Sequence, residues 1–167
     1  MQITTPTLRL VFASSSSVYG EGATLPFSTS SPPHSITNVY AATKMINEQF
    51  AEAYCTQHGL RTTGLRFFTV YGPWGRPDMA VYKFAQQISE GLPVSMFNSS
   101  RPLKRDFTFV NDTVGGVLAA LNHTPTKCGE VYNVGTGQPL TLNTMLEYLE
   151  EELNTPAKIV SKFRTIE

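Results

Sequence analysis

A tyrosine and a lysine, Tyr40 and Lys44, lie four residues apart in the sequence. On a helix this spacing places both side chains on one face, one turn from each other. An adjacent positive charge lowers the pKa of a tyrosine from about 10 toward neutrality, which makes Tyr40 usable as an acid or base. The same spacing occurs by chance on many amphipathic helices, so a purely structural role for the pair stays open at this point.

Four consecutive serines, Ser14 to Ser17, follow a short apolar run at residues 9–13 that predicts a buried strand. Ligands bind at the carboxyl ends of strands in open α/β sheets, so these hydroxyls stand where a ligand is expected. The alternative is a hydroxyl-rich turn that satisfies its own backbone. Together with Tyr40 and Lys44, the serines predict an acid–base site.

Short apolar runs alternate with helix-period stretches along the chain, which is typical of a wound α/β sheet. The helix that would carry Tyr40 and Lys44 is predicted over 38–58, ending at Gly59. A strand over 61–68 is predicted to end in the Gly- and Pro-rich loop 71–77. The other predicted elements are helices over 79–90, 112–121 and 141–153, and strands over 94–97, 105–110 and 131–134.

The composition indicates a folded domain and argues against some kinds of binding partner. Apolar residues make up 41% and charged residues 16%, which favours a folded domain, and the 13 basic and 13 acidic residues cancel. We therefore expect no nucleic-acid and no membrane partner. Without a spanning apolar run or signal peptide, we expect a cytoplasmic protein. Cys55, Cys128 and the three histidines show no metal-ligand spacing, so we expect two reduced thiols and no metal.

Five segments carry a resemblance to a known family: 11–20 (VFASSSSVYG), 40–44 (YAATK), 64–80 (GLRFFTVYGPWGRPDMA), 105–108 (RDFT) and 132–135 (YNVG). In these segments the chain resembles the extended short-chain dehydrogenase/reductases of the NAD-dependent epimerase/dehydratase family, and among them the UDP-glucuronate 4-epimerases. The resemblance implies NAD as the cofactor, a UDP-sugar as the substrate and 4-epimerisation through a 4-keto sugar. It also implies a homodimer.

The resemblance implies roles for individual residues. Tyr40 would remove the proton of the sugar 4-hydroxyl, and Lys44 would hold the nicotinamide ribose. Ser15 would hydrogen-bond the sugar O4, with Ser16 as its nearest rival, and the backbone of Val70 would approach the nicotinamide. The remaining implied substrate contacts are Thr69 and Arg76 at the sugar carboxylate, Phe97 at the uracil and Arg105 at the diphosphate.

The chemistry of the arginine side chain supports a role in binding anions. A guanidinium is always charged, and its planar fork suits a phosphate or carboxylate. For Arg76 or Arg105 taken alone, a solvated surface arginine is the alternative. For Phe97, a core position on a short strand is an equal alternative to stacking on the uracil.

The sequence departs from the family in one respect, because no G-x-G-x-x-G segment is found in its 167 residues. We therefore expect the C-terminal part of a doubly wound Rossmann-type parallel sheet, without the N-terminal βαβ units, plus part of a small α/β substrate domain. The expected division is 1–73 with 111–134 for the dinucleotide-binding remnant, and 74–110 with 135–167 for the substrate part.

Three functions remain open from the sequence. The first is 4-epimerisation of UDP-glucuronate to UDP-galacturonate, impaired or absent in a chain of this length, with Thr69 and Arg76 favouring the uronate. The second is a UDP-glucose/galactose-type 4-epimerase. The third is a non-catalytic fragment or interaction module.

Overall fold

The fold is known from a computed structural model that describes residues 8–31, 34–98 and 103–163, with only the backbone at 97, 98, 162 and 163. The chain divides into two compact units. Unit 1 consists of Met1–Phe68 and Val110–Gly135, and unit 2 of Thr69–Phe109 and Thr136–Glu167.

The described residues form the predicted helices and strands together with strands that the sequence did not predict. In chain order, the strands are β1 (Arg9–Ser15), β2 (Arg61–Phe67), β3 (Thr69–Tyr71), β4 (Pro93–Asn98), β5 (Lys104–Arg105), β6 (Phe107–Phe109), β7 (Glu130–Val134), β8 (Leu140–Thr141) and β9 (Lys158–Phe163). The helices are α1 (Val39–His58), α2 (Ala80–Ser89), α3 (Val110–Asn122) and α4 (Leu142–Leu153), together with a 3-10 turn, Ser16–Tyr19.

Unit 1 contains a parallel sheet in the order β1-β2-β7. Strand β2 is buried over five consecutive residues, as expected for a strand covered on both faces. At Gly64 in this strand, an added Cβ would lie 2.8 Å from the Phe12 ring and 2.9 Å from Val131 Cγ1. Only glycine therefore lets the three strands pack at this level.

Helix α1 begins and ends where its capping residues place it. The Asn38 side chain accepts a hydrogen bond from the Ala41 amide at 2.8 Å, and Gly59 closes the helix in the left-handed conformation. Its packing against β1 and β2 places the Tyr40 end of the helix beside the carboxyl end of β1.

The described residues of unit 2 form three two-stranded sheets: β3-β6 and β4-β9 are parallel, and β5-β8 is antiparallel. One apolar cluster holds the unit together, consisting of Phe84, Ile88, Val94, Phe107, Met145 and Leu146. The sequence predicted one strand over 105–110, whereas two short strands flank Asp106 and α3 already begins at Val110. At this break the Asp106 carboxylate accepts backbone amides of residues 136 and 137.

The expectation of two reduced thiols is wrong, because Cys55 and Cys128 form a disulfide with their Cα atoms 5.5 Å apart. The two cysteines are 73 residues apart, so their spacing carried no local motif. Folding brings the last turn of α1 next to the segment before β7. No helix in the described ranges is long and apolar enough to cross a membrane.

A buried carboxylate, Glu130, joins the end of α3 to β7. It accepts hydrogen bonds from the amide and hydroxyl of Thr126 at 3.0 Å each and from the Tyr132 hydroxyl at 3.1 Å, and lies 2.8 Å from His123 Nε2. Burial raises the pKa of the Glu130 carboxyl, but these hydrogen bonds together outweigh burial and lower the pKa to about 2.

The low pKa of Glu130 predicts how unit 1 responds to acid. A carboxyl with a lowered pKa in the fold stabilises the fold above its usual pKa of 4.5, and this stabilisation is lost as the pH falls toward 2. Its contribution near neutrality is on the order of 3 kcal/mol. We expect Glu130→Gln to lose this stabilisation near neutrality and to show a shallower decline in acid, measured by urea unfolding across the window.

Glu52→Gln, which changes an exposed carboxylate in unit 1, is the matched control and is expected to follow the wild type. Equal acid dependence in the wild type and Glu130→Gln would contradict the assignment.

The disulfide gives a second prediction. Closing a loop of 73 residues restricts the unfolded chain by about 4 kcal/mol in the chain-entropy model. We expect the double variant Cys55→Ser/Cys128→Ser to lose a stability of that order, measured by urea unfolding. Thiol titration of the denatured, unreduced protein should find no free thiol, and finding both thiols free would show that the bond does not form.

Candidate active site

Helix α1 presents Tyr40 and Lys44 on one face, as their spacing predicts. Tyr40 stands in the first helical turn and is 55% exposed. The Lys44 ammonium lies 5.6 Å from the centre of the Tyr40 ring and donates a hydrogen bond to the Ala13 carbonyl at 3.1 Å. A half-exposed phenol beside a cation that is fixed to the sheet is suited to proton transfer.

The serine cluster forms the 3-10 turn after β1. Ser15 caps this turn, where its hydroxyl accepts the Ser17 amide at 3.2 Å and donates to the Ser17 hydroxyl at 3.2 Å. These are the contacts of a turn that satisfies its own backbone, the alternative raised from the sequence. Ser16 instead lines a polar cavity of about 170 Å³, together with Ser17, Gly20, Glu21, Thr37 and Asn38.

The end of this turn is anchored in the core of unit 1. Tyr19 is almost fully buried, and its ring stacks on Phe27 with 4.5 Å between the ring centres. Its hydroxyl donates to the Asn133 side chain in β7 at 2.5 Å, and Asn133 donates to the Phe27 carbonyl at 2.9 Å. The serine turn is therefore held at both ends.

In unit 2, three predicted residues share one cavity of about 220 Å³. Thr69 and Val70 reach it from β3, and Arg76 reaches it from the loop before α2. Arg76 also forms a bidentate ion pair with Asp78, in which Nε lies 3.0 Å from Oδ1 and Nη2 lies 2.5 Å from Oδ2. These hydrogen bonds lower the pKa of the Asp78 carboxyl. The sequence interpretation did not foresee that Arg76 already holds a carboxylate within its own loop.

Arg105 and Phe97 lie on separate strands of unit 2. Arg105 is exposed in β5, pairs with Leu140 of β8, and donates to the Lys104 carbonyl at 3.3 Å. Phe97 lies in β4, and its side chain is outside the described part of the structure. Its proposed contact with the uracil therefore stays a prediction.

Asp106, next to Arg105, is a buried residue that sequence reasoning missed. Its carboxylate accepts the Thr136 amide at 2.9 Å, the Thr136 hydroxyl at 2.8 Å and the Gly137 amide at 2.7 Å. Burial raises the pKa of Asp106, but these hydrogen bonds outweigh burial and lower it. Asp106 thereby fixes the strand break beside Arg105 to the turn at Gly137.

Glu48 and Arg66 were also missed. Both are buried in unit 1, where Arg66 donates to both carboxylate oxygens of Glu48 at 2.9 and 2.8 Å. Burial lowers the pKa of the Arg66 guanidinium, but interactions with Glu48 and Tyr19 outweigh burial and raise it. The sequence did contain a signal, since an arginine inside a buried strand requires a counter-charge. Glu48 supplies it from one turn beyond Lys44.

Comparisons with known proteins place these motifs in a family. Residues 2–135 match the model of the NAD dependent epimerase/dehydratase family. UDP-glucuronate 4-epimerase 4 of Arabidopsis thaliana is 41% identical over 166 residues, which cover 92% of this chain and 38% of that protein.

Solved structures of two epimerases resemble the chain. UDP-glucuronic acid 4-epimerase from Bacillus cereus, in complex with UDP-glucuronic acid and NAD, is 31% identical with a TM-score of 0.83, over 92% of this chain and 48% of that chain. UDP-glucose 4-epimerase from Thermus thermophilus, in complex with NAD, is 29% identical with a TM-score of 0.82, over 95% and 52%.

The chain thus spans about half the length, or less, of the proteins that it matches. The predicted α/β class with parallel strands is confirmed by these neighbours and by the sheet of unit 1. Because the family model matches most of its residues, the chain belongs to the NAD dependent epimerase/dehydratase family.

Proposed function

We propose that this protein takes part in the NAD-dependent 4-epimerisation of a UDP-sugar. The observation that carries the proposal is the pairing of Tyr40 with Lys44 on α1. Lys44 also binds β1, the strand that ends in the serine turn. Relatives about 40% identical to the chain are named UDP-glucuronate 4-epimerases, and structural neighbours were solved with NAD and UDP-sugars. Because the chain spans about half of such proteins, the proposal concerns the activity to which these residues contribute.

The residues present fit the nicotinamide-ribose end of NAD. Lys44 carries an ammonium with three N–H donors, so its bond to the Ala13 carbonyl does not prevent donation to a ribose hydroxyl. The phenol of Tyr40 stands on the same face and is accessible. The glycine-rich segment that would hold the pyrophosphate of NAD is not among the 167 residues.

The chemistry assigned to this chain is proton transfer. Tyr40, as the phenolate, takes the proton of the sugar 4-hydroxyl, and it returns that proton to O4 after the sugar has turned over. NAD, when bound, would supply the hydride chemistry at C4. Lys44 stabilises the phenolate through its positive charge. Ser15 hydrogen-bonds O4 after its hydroxyl turns away from Ser17, and Ser16 is the second candidate for this contact.

A uronate is the proposed substrate class, supported by Thr69 and Arg76 on the same cavity of unit 2. Asp78 occupies the guanidinium of Arg76, so a sugar carboxylate would compete with this neighbour. We assign the diphosphate to Arg105 and the uracil to Phe97, and the backbone of Val70 to the nicotinamide.

Replacing the proposed base tests the mechanism. General acid–base groups contribute typically 100- to 10,000-fold to the rate, so we expect Tyr40→Phe to lower kcat by about that factor. Affinity for UDP, measured by calorimetry, should change little, because Tyr40 is proposed to contact the sugar 4-hydroxyl and not the UDP group. The measurement is conversion of UDP-glucuronate to UDP-galacturonate in the presence of NAD.

Tyr54→Phe is the matched control, because Tyr54 lies on the same helix and is 54% exposed. It is expected to keep full activity. Undiminished turnover in Tyr40→Phe would refute the base assignment, and the absence of NAD binding to the wild-type chain would refute a stand-alone enzyme.

The uronate preference has its own test. A hydrogen bond to a charged group contributes about 1.5 to 3 kcal/mol, so Arg76→Gln should raise KM for UDP-glucuronate about 10- to 100-fold and leave KM for UDP-glucose unchanged. Asp78→Asn removes the competing carboxylate and should lower KM for UDP-glucuronate. Lys83→Gln, on the exposed side of α2, is the control. Equal turnover of both UDP-sugars by the wild type would contradict the preference.

A further inference from the structure

A buried polar cluster lies beneath the proposed acid–base residues of unit 1. Glu48, Arg66 and Ser14 are 8%, 7% and 2% exposed. The Ser14 hydroxyl donates to Glu48 Oε1 at 2.5 Å, and the Arg66 guanidinium holds both Glu48 oxygens. The Arg66 guanidinium in turn lies 4.7 Å from the centre of the Tyr19 ring. The Glu48 carboxylate is therefore the point at which α1, β1 and β2 are joined by directional bonds.

On α1, Glu48 lies two helical turns after the proposed base, Tyr40. Tyr40, Lys44 and Glu48 are spaced four residues apart, so they form one stripe along α1. Two of the three are bound to β1, Lys44 at the carbonyl of residue 13 and Glu48 at the hydroxyl of residue 14. These two bonds, one helical turn apart, hold the Tyr40 half of α1 against the carboxyl end of β1.

On β1, the bond to Glu48 lies next to the serine turn. Ala13 and Ser14 directly precede Ser15, and consecutive side chains of an extended strand point to opposite faces. Ser15 is held in the ladder with β2, where it pairs with Phe67, and the bond from Ser14 to Glu48 joins this strand end to α1. The same carboxylate thus links the two halves of the proposed acid–base site.

We propose that Glu48, held by Arg66 and Ser14, is a positioning residue that sets the distance between Tyr40 and the serine turn; this inference rests on the proposed function. A buried ion pair contributes little net stability compared with apolar packing, but its bonds are directional and specify one arrangement. The other end of α1 is held independently, because Cys55 is bonded to Cys128. Loss of the Glu48 junction should therefore release the Tyr40 end of the helix and leave the Tyr54 end in place.

The test follows the tyrosine rings by NMR in the full chain, selectively labelled at tyrosine, with Tyr40→Phe and Tyr54→Phe used to assign the two resonances. Glu48→Gln preserves the side-chain shape but removes the charge and one acceptor, and Ser14→Ala removes only the bond to β1. In both variants the Tyr40 resonance should shift or broaden while that of Tyr54 keeps its wild-type position. Glu52→Gln, one turn further along α1 and exposed, should leave both unchanged.

Kinetics supply a second readout. Misplacement of a reacting group costs rate rather than affinity, so kcat for the UDP-sugar should fall about 10- to 100-fold with KM nearly unchanged. Folded variants whose Tyr40 resonance matches the wild type, or whose Tyr54 resonance moves equally, would overturn the inference. If Glu48→Gln does not fold, Ser14→Ala decides alone. If the wild type shows no turnover, the proposed function fails for this chain, and the NMR comparison still decides the positioning role.

Discussion

Two hydrogen bonds between successive turns of α1 and successive residues of β1 join the helix to the end of the strand. Lys44 holds the Ala13 carbonyl, and Glu48 holds the Ser14 hydroxyl while it is gripped by Arg66. Because both bonds end just before Ser15, the face of the helix and the end of the strand cannot be positioned independently. Lys44 therefore combines a structural bond with its proposed part in catalysis.

In unit 2, too, a buried carboxylate bonds to a distant segment of the chain. Asp106 interrupts a strand, and its buried carboxylate accepts two backbone amides and a hydroxyl from Thr136 and Gly137. In both units a buried carboxylate satisfies polar groups that would be costly to bury without partners. The neighbouring residues, Tyr40 in one unit and Arg105 in the other, remain exposed and accessible to ligands.

Most of this arrangement was predictable where it depends on local sequence. The bounds of α1 follow from Asn38 and Gly59, and the helical spacing of Tyr40 and Lys44 predicted their shared face. Contacts between distant segments were not predictable, because nothing near Cys55 indicates that Cys128 folds beside it. The partners of Glu48 and Asp106 likewise come from other strands and turns. Strands β3, β8 and β9 were missed because two are only two or three residues long and the third follows a helix without an apolar alternation.

Epimerisation by hydride transfer has a consequence that can be measured in heavy water. The full chain is incubated with NAD and UDP-glucuronate in D2O, and the UDP-sugar is followed by proton NMR. A hydride that leaves C4 and returns to it does not exchange with solvent, so the galacto-configured product should retain protium at C4. Absence of that product from a folded chain with NAD bound, or deuterium at C4 of the product, would contradict the proposed function.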